Sequence, residues 1–195
     1  MSYVEHSSRR LIVALPDSYD DARTRYERLA PGVDSEAFAA AHTWQEVLAV
    51  AERNAPYGFM VYYRGDVTAA VTGSPSQWQA TQYLMGNHTI AETMFRHDPS
   101  VMLHAPLRTV IYTDPSGATK LTVDQPSLLF ASYGNPEITA VGEHLDALLA
   151  RLIEQLGAEV PASLKVVSPR RPTSRSSTVA TLATATSDGA GEHLG

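Results

Sequence analysis

The most polar stretch of the chain, residues 86–104, holds the side chains best suited to proton transfer. His88 and Glu92 are four residues apart on a predicted helix, so the carboxylate can contact the imidazole, orient it and raise its pKa. His104 precedes the next predicted strand and is the candidate partner acid or base, provided that the intervening loop folds back. The predicted catalytic residues are therefore His88, Glu92 and His104.

Four further residues around this stretch are suited to holding a substrate. Asn87 lies where a predicted strand passes into a helix, and backbone N–H groups there favour an anion or a developing oxyanion. Arg108 has a rigid fork that binds carboxylates. Tyr62 and Tyr83 lie on predicted middle strands that could line an aromatic pocket. These residues are the predicted substrate-binding set.

Each of these residues also has an ordinary structural interpretation. Glu92 and Arg96 have the spacing of a surface ion pair, which leaves His88 as an exposed residue in a first helical turn. An arginine on a strand usually pairs with a neighbouring acid, and aromatic residues on strands usually belong to the core or the sheet surface. The sequence favours these interpretations residue by residue.

Composition and motifs exclude several classes of function. The 195 residues include no Cys, which excludes disulfides, thiolate metal sites and cysteine catalysis, and a formal net charge of −6 disfavours nucleic-acid binding. Phosphate-binding GxxxxGK[ST] and GxGxxG motifs, the GxSxG motif and the HExxH motif are all absent. We therefore expect no cofactor and no metal. No apolar run is long enough to span a membrane, and the polar N-terminal residues favour the cytoplasm.

Capping signals and hydrophobic periodicity predict the elements that position these residues. Helices are expected to begin at Ser18, at the capping box Thr43–Glu46, near His88 and at Asn135, where a proline and an acidic residue follow the cap. Strands are expected over residues 11–15, 59–64, 67–71, 78–85, 107–113 and 118–124.

Two hairpins join these predicted strands. Gly65 and Asp66 are expected to form a two-residue turn between residues 59–64 and 67–71, and residues 114–117 a type I turn between the last two strands. Alternation along residues 107–112 predicts that Leu107, Thr109 and Ile111 share one face of the sheet.

Hairpins with helices before, between and after them are typical of an α+β fold, here an antiparallel sheet with helices packed on one face in two layers. We expect one domain over residues 1–167. Residues 168–195 consist mainly of Ser, Thr, Ala, Pro and Gly, a composition that predicts a disordered tail.

The chain resembles the DUF302 family of small bacterial α+β proteins from Tyr83 to Leu156. The resemblance rests on Met85-Gly86-Asn87, Ile90-Ala91-Glu92, His97-Asp98-Pro99, Ala105-Pro106-Leu107-Arg108 with the strand that follows, and Asp124-Gln125-Pro126. It implies a compact α+β fold and a homodimer, without an established activity. Where the family commonly has proline after the asparagine and an apolar residue before Ala105, this chain has His88 and His104.

The sequence leaves three functions open. The first is a small-molecule binding or accessory domain, dimeric through sheet edges or the last helix and without a cofactor. The second is a cofactor-free isomerase, cyclase or lyase in which His88, supported by Glu92, moves a proton with His104 as partner, while Tyr83 and Arg108 hold the substrate. The third is haem or metal binding through His88, His97 or His104. Whether the protein is an enzyme is not determined by these residues.

Overall fold

A five-stranded antiparallel sheet organises residues 3–165, the part of the chain that the computed structural model describes. Its strands follow the order β1-β5-β4-β3-β2, so the last strand pairs with the first. The strands are β1 (Arg10–Ala14), β2 (Met60–Asp66), β3 (Ala80–Gly86), β4 (Leu107–Thr113) and β5 (Thr119–Asp124). The predicted tail, residues 168–195, lies outside the described residues.

Seven α-helices connect or follow these strands within the described residues. They are α1 (Tyr19–Leu29), α2 (Ser35–Ala39), α3 (Trp44–Asn54), α4 (Val67–Ala70), α5 (His88–Phe95), α6 (Pro126–Ala131) and α7 (Pro136–Gln155), with short 3-10 helices at Pro99–Leu103 and Ala162–Leu164. None of the helices in this part of the chain is both long and apolar enough to cross a membrane.

The predicted helix starts are confirmed at their caps. The Ser18 side chain accepts a hydrogen bond from the backbone of Asp21, and Thr43 and Glu46 form both bonds of a capping box. Asn135 accepts from two backbone N–H groups at the start of α7. These caps satisfy N–H groups that would otherwise lack partners in the first helical turn, which fixes where each helix begins.

Within residues 3–165, only one face of the sheet is covered by helices. The predicted alternation on β4 is confirmed, since Leu107, Thr109 and Ile111 are buried whereas Arg108 is exposed. The buried face packs against α1 and α7 in one continuous apolar core. On the opposite face, Ile12 of β1 is 61% exposed. The fold is thus the predicted two-layer α+β arrangement, with one face of the sheet open.

The predicted hairpin at Gly65 and Asp66 is wrong. β2 continues through Asp66, whose side chain then accepts a hydrogen bond from the backbone of Ala69 and caps α4. The apolar residues at 67–71, predicted as a strand, form this short helix and the turn after it. β2 therefore pairs with β3 across a longer connection, and the pairing contains a register shift between Val61 and Tyr63.

Candidate functional site

The passage from β3 to α5 brings the first polar groups of the site together. Gly86 ends β3 so close to Pro106 that an added Cβ would lie 3.4 Å from the Pro106 Cα and Cβ atoms. Asn87 then caps α5, its side-chain oxygen accepting from the Thr89 backbone at 3.0 Å and from the Thr89 hydroxyl at 2.7 Å. The cap fixes the direction in which α5 leaves the sheet and so the position of its first residue, His88.

Beneath α5 lies a largely apolar cavity of about 180 Å³. Its walls come from the ends of β3 and β4, the inner side of α5, the 3-10 helix at Pro99–Leu103, α6 and α7. The deepest lining residues, each almost completely buried, are Met94, Leu107, Phe130 and Leu145. Tyr62 and Met102, which also line the cavity, are 39% and 47% exposed, so the cavity reaches the protein surface.

At the rim of this cavity, His88 and Tyr62 form a doubly hydrogen-bonded pair. The Tyr62 hydroxyl lies 2.8 Å from Nδ1 of the His88 ring, and the His88 backbone N–H donates to the same hydroxyl oxygen at 2.9 Å. The ring of Phe38 on α2 meets the imidazole edge to face at 4.4 Å between centroids. The imidazole is therefore held in place by contacts from two other elements of the fold.

Burial sets the protonation state of this pair. Partial removal from water lowers the pKa of His88 below its ordinary value of 6.5, because the charged imidazolium loses hydration. The same desolvation raises the pKa of Tyr62, although the hydrogen bond from the His88 backbone opposes this shift. Near neutral pH both side chains are uncharged, so the rim offers neutral hydrogen-bonding groups.

Glu92 does not support His88 as predicted. Its carboxylate instead forms an ion pair with Arg96, which lies one helical turn further along the chain and has an exposed side chain. Both His88 and Arg96 lie four residues from Glu92, but a permanently charged guanidinium attracts a carboxylate more strongly than a neutral imidazole does. The ordinary interpretation of Glu92 as a surface ion-pair partner is the one that the structure supports.

Tyr83 also lies away from the cavity. Its ring is fully buried under α1, 4.7 Å from the ring of Tyr26, and its hydroxyl donates to Glu27 at 2.8 Å. Arg64 binds the same carboxylate oxygen at 2.8 Å. Burial, together with the nearby Glu27 carboxylate, raises the pKa of the Tyr83 hydroxyl. These contacts give Tyr83 a place in a polar cluster between α1 and the sheet.

His104 and Arg108 line a second concavity, a groove of about 700 Å³ on the open face of the sheet. The His104 ring contacts His6 edge to face at 5.9 Å between centroids, and it also lies against Phe130. Burial lowers the pKa of His104, and the charge of His6 adds to this effect while Asp124 opposes it. Of the seven predicted site residues, the structure brings Tyr62, Asn87 and His88 together at the apolar cavity.

The apolar walls of the cavity were not singled out from the sequence. Ala91 and Met94 lie on the inner stripe of α5, Phe130 lies on α6 and Leu145 on α7. In the sequence each of them has the pattern of an ordinary core residue. The one available signal was the position of His88 beside the apolar stripe of its helix. Among the described residues, no group of three or more His, Cys, Asp or Glu side chains is arranged to hold a metal ion.

Comparisons with known proteins agree with this fold. The family model described as "Domain of unknown function DUF302" matches residues 38–156. A crystal structure of an uncharacterized conserved DUF302 protein from Bacillus stearothermophilus has a TM-score of 0.57 and 15% sequence identity, covering 75% of this chain and 97% of that one. No curated protein matches the chain. Because the family model covers more than half of its residues, this chain belongs to the DUF302 family.

Proposed function

We propose that this protein binds a small molecule in the apolar cavity beneath α5. The observation that carries the proposal is the combination of a mostly apolar cavity with a fixed, neutral His88–Tyr62 pair at its rim. Ligand sites typically pair an apolar lining with a few placed polar groups of this kind. An engineered apolar cavity of about 150 Å³ is known to bind benzene, so a cavity of about 180 Å³ has room for a one-ring compound.

Binding is better supported than proton-transfer catalysis. The enzyme hypothesis needed His88, Glu92 and His104 to share one substrate. Glu92 is paired with Arg96, and His104 lines the groove on the open sheet face. A general base also needs a ring nitrogen with a free lone pair, and when Tyr62 donates to Nδ1 of His88 the ring proton lies on Nε2, so neither nitrogen is free. The arrangement suits recognition of a bound molecule.

Filling the cavity is the direct test. Ala91 lines it from α5, and we expect Ala91→Phe to lower affinity for the one-ring probe acetophenone by at least about tenfold, or roughly 1.4 kcal/mol, since the added ring takes the ligand's place. Titration calorimetry or ligand-observed NMR with the full chain measures this. Ala140→Phe on the exposed side of α7 adds the same volume elsewhere and should bind normally. No binding by the wild type, or equal binding by all three proteins, contradicts the proposal.

We also propose that two copies of the chain associate through the open face of the sheet. Within the described residues no second layer covers this face, where Ile12 is exposed and Val110 and Tyr112 are partly exposed. It also carries charges of both signs, Arg108 and Asp124, which can pair across a twofold axis when the surface contacts itself. The exposed residues of α7 are mostly polar: Pro136, Glu137, Ala140, Glu143, His144, Arg151, Glu154 and Gln155. The open face is therefore the better candidate than the last helix.

A further inference from the structure

The hydrogen bonds at the cavity rim fix which ring nitrogen of His88 carries its proton. The Tyr62 oxygen already accepts the backbone N–H of His88, and within the described residues the Tyr62 proton has no acceptor other than Nδ1. If Nδ1 kept the proton instead, the hydroxyl proton would have no acceptor but solvent, and the pairing with Nδ1 would lose its donor. A neutral imidazole has one N–H, so it is Nε2 that carries the hydrogen.

Both polar groups that remain unused at the rim are consequently donors. Nε2 of His88 makes no hydrogen bond within residues 3–165. It is not among the fully buried side-chain atoms there that lack a hydrogen-bond partner, so a ligand or solvent can reach it. The Asn87 side-chain oxygen is taken by Thr89, while its amide N–H groups have no partner in the same residues. The rim therefore offers N–H groups to a ligand and keeps its acceptor atoms occupied.

Within the part of the chain that the structure describes, the walls of the cavity offer no charge to a ligand. The residues that line it include no Asp, Glu, Lys or Arg, and the remaining walls are aliphatic, aromatic or thioether groups. A carboxylate entering this space would lose hydration without meeting a counter-charge, which costs several times more than desolvating a neutral carbonyl. A molecule with no polar atom would leave the donors at the rim without acceptors.

We propose, building on the small-molecule function above, that the ligand is an uncharged compound of about one ring whose hydrogen-bond acceptor, such as a ketone or aldehyde oxygen, is bound by Nε2–H of His88 and the amide of Asn87. The apolar part of this compound lies against Met94, Phe130 and Leu145. The donors select the acceptor group, and the uncharged walls select against ions.

Three matched probes test this selectivity with the full chain. Acetophenone has a ketone oxygen, α-methylstyrene replaces that oxygen with a CH2 group of similar shape, and benzoate carries a charge. We expect acetophenone to bind roughly five- to tenfold more tightly than α-methylstyrene, the usual effect of one neutral hydrogen bond, and more tightly than benzoate. Equal binding of acetophenone and α-methylstyrene leaves the cavity as a binding site but overturns the acceptor inference, and so does tighter binding of benzoate.

A pair of tyrosine variants tests the origin of the selectivity. Tyr62→Phe removes the hydroxyl that pairs with Nδ1 of His88, so the preference for acetophenone over α-methylstyrene should fall, while the amide of Asn87 still donates. Tyr63→Phe changes the adjacent residue, which is 51% exposed, and should keep the preference. His88→Phe retains a ring but removes Nε2–H altogether, so it should lower the preference at least as far as Tyr62→Phe does. Undiminished preference in Tyr62→Phe and His88→Phe overturns the inference, and absence of binding by all three probes to the wild type overturns the proposed function as well.

Discussion

His88 takes its hydrogen-bond partner from a strand that precedes it by 26 residues in the chain rather than from its own helix. The spacing of His88 and Glu92 permits a contact, but Glu92 has a charged competitor at the same distance along α5. Tyr62 reaches His88 because the end of β3, paired with β2, lies immediately before α5. For this residue, the pairing of β2 with β3 determines the hydrogen bonding of the imidazole, and the spacing of residues along α5 does not.

The lowered pKa values of His88 and His104 predict how stability depends on pH. In the unfolded chain both imidazoles return to the ordinary value near 6.5, so the unfolded state binds more protons than the folded state between the lowered values and about 6.5. The free energy of unfolding should therefore rise as pH increases through this window and level off above it.

Urea unfolding between about pH 5 and 8 measures this dependence. Replacing one half-buried imidazole by a neutral amide, in His88→Gln, should reduce the rise, with the contribution of His104 beside His6 and Asp124 left in place. Stability that falls with increasing pH over this range, or an unchanged rise in His88→Gln, would contradict the assigned shifts.

At the scale of elements, predictions from local sequence succeeded where the residues that gave the signal also make the hydrogen bonds that start the element. Thr43 and Glu46, or Asn135 before its proline, make hydrogen bonds within one turn of the helix that they start. Gly65 and Asp66 resemble a hairpin turn equally well, yet Asp66 caps α4 because the strand that pairs with β2 begins at Ala80. Pairing partners of a strand depend on the whole sheet and are not encoded in a dipeptide.

The cavity could not be predicted from the sequence, because it also depends on how separate elements pack together. Its walls come from four helical segments, two strand ends and Tyr62 of β2, which are separated along the chain, and each apolar wall residue individually looks like core. Periodicity indicates which side of a helix is buried, but a gap between buried surfaces arises only from how the elements pack. His88 and Asn87 were identified because polar residues beside an apolar stripe are visible in sequence, whereas Met94 and Phe130 were not.

At the scale of the whole molecule, the proposed dimer depends on the open face of the sheet. Ile12 is 61% exposed on the edge strand β1, so Ile12→Glu should leave the fold intact while placing an unpaired charge in the interface. We expect light scattering to give twice the chain mass for the wild type and a shift toward one chain for Ile12→Glu.

Val71→Glu provides a matched control for this experiment. Val71, 41% exposed, lies in the turn after α4 and does not line the groove on the open sheet face, so the same charge there should leave the dimer unchanged. A wild type that is monomeric at high micromolar concentration, or equal dissociation by both variants, would contradict association through this face.

The central claim, that the cavity beside His88 is the binding site, is tested most directly by NMR of the histidine side chains during an acetophenone titration. Ring 15N–1H correlations of the wild type at neutral pH should show His88 uncharged with its proton on Nε2. Added acetophenone should shift the His88 signals progressively and leave those of His104, in the neighbouring groove, nearly unchanged. A shift of the His104 signals with none at His88, or a His88 proton on Nδ1, would contradict the account.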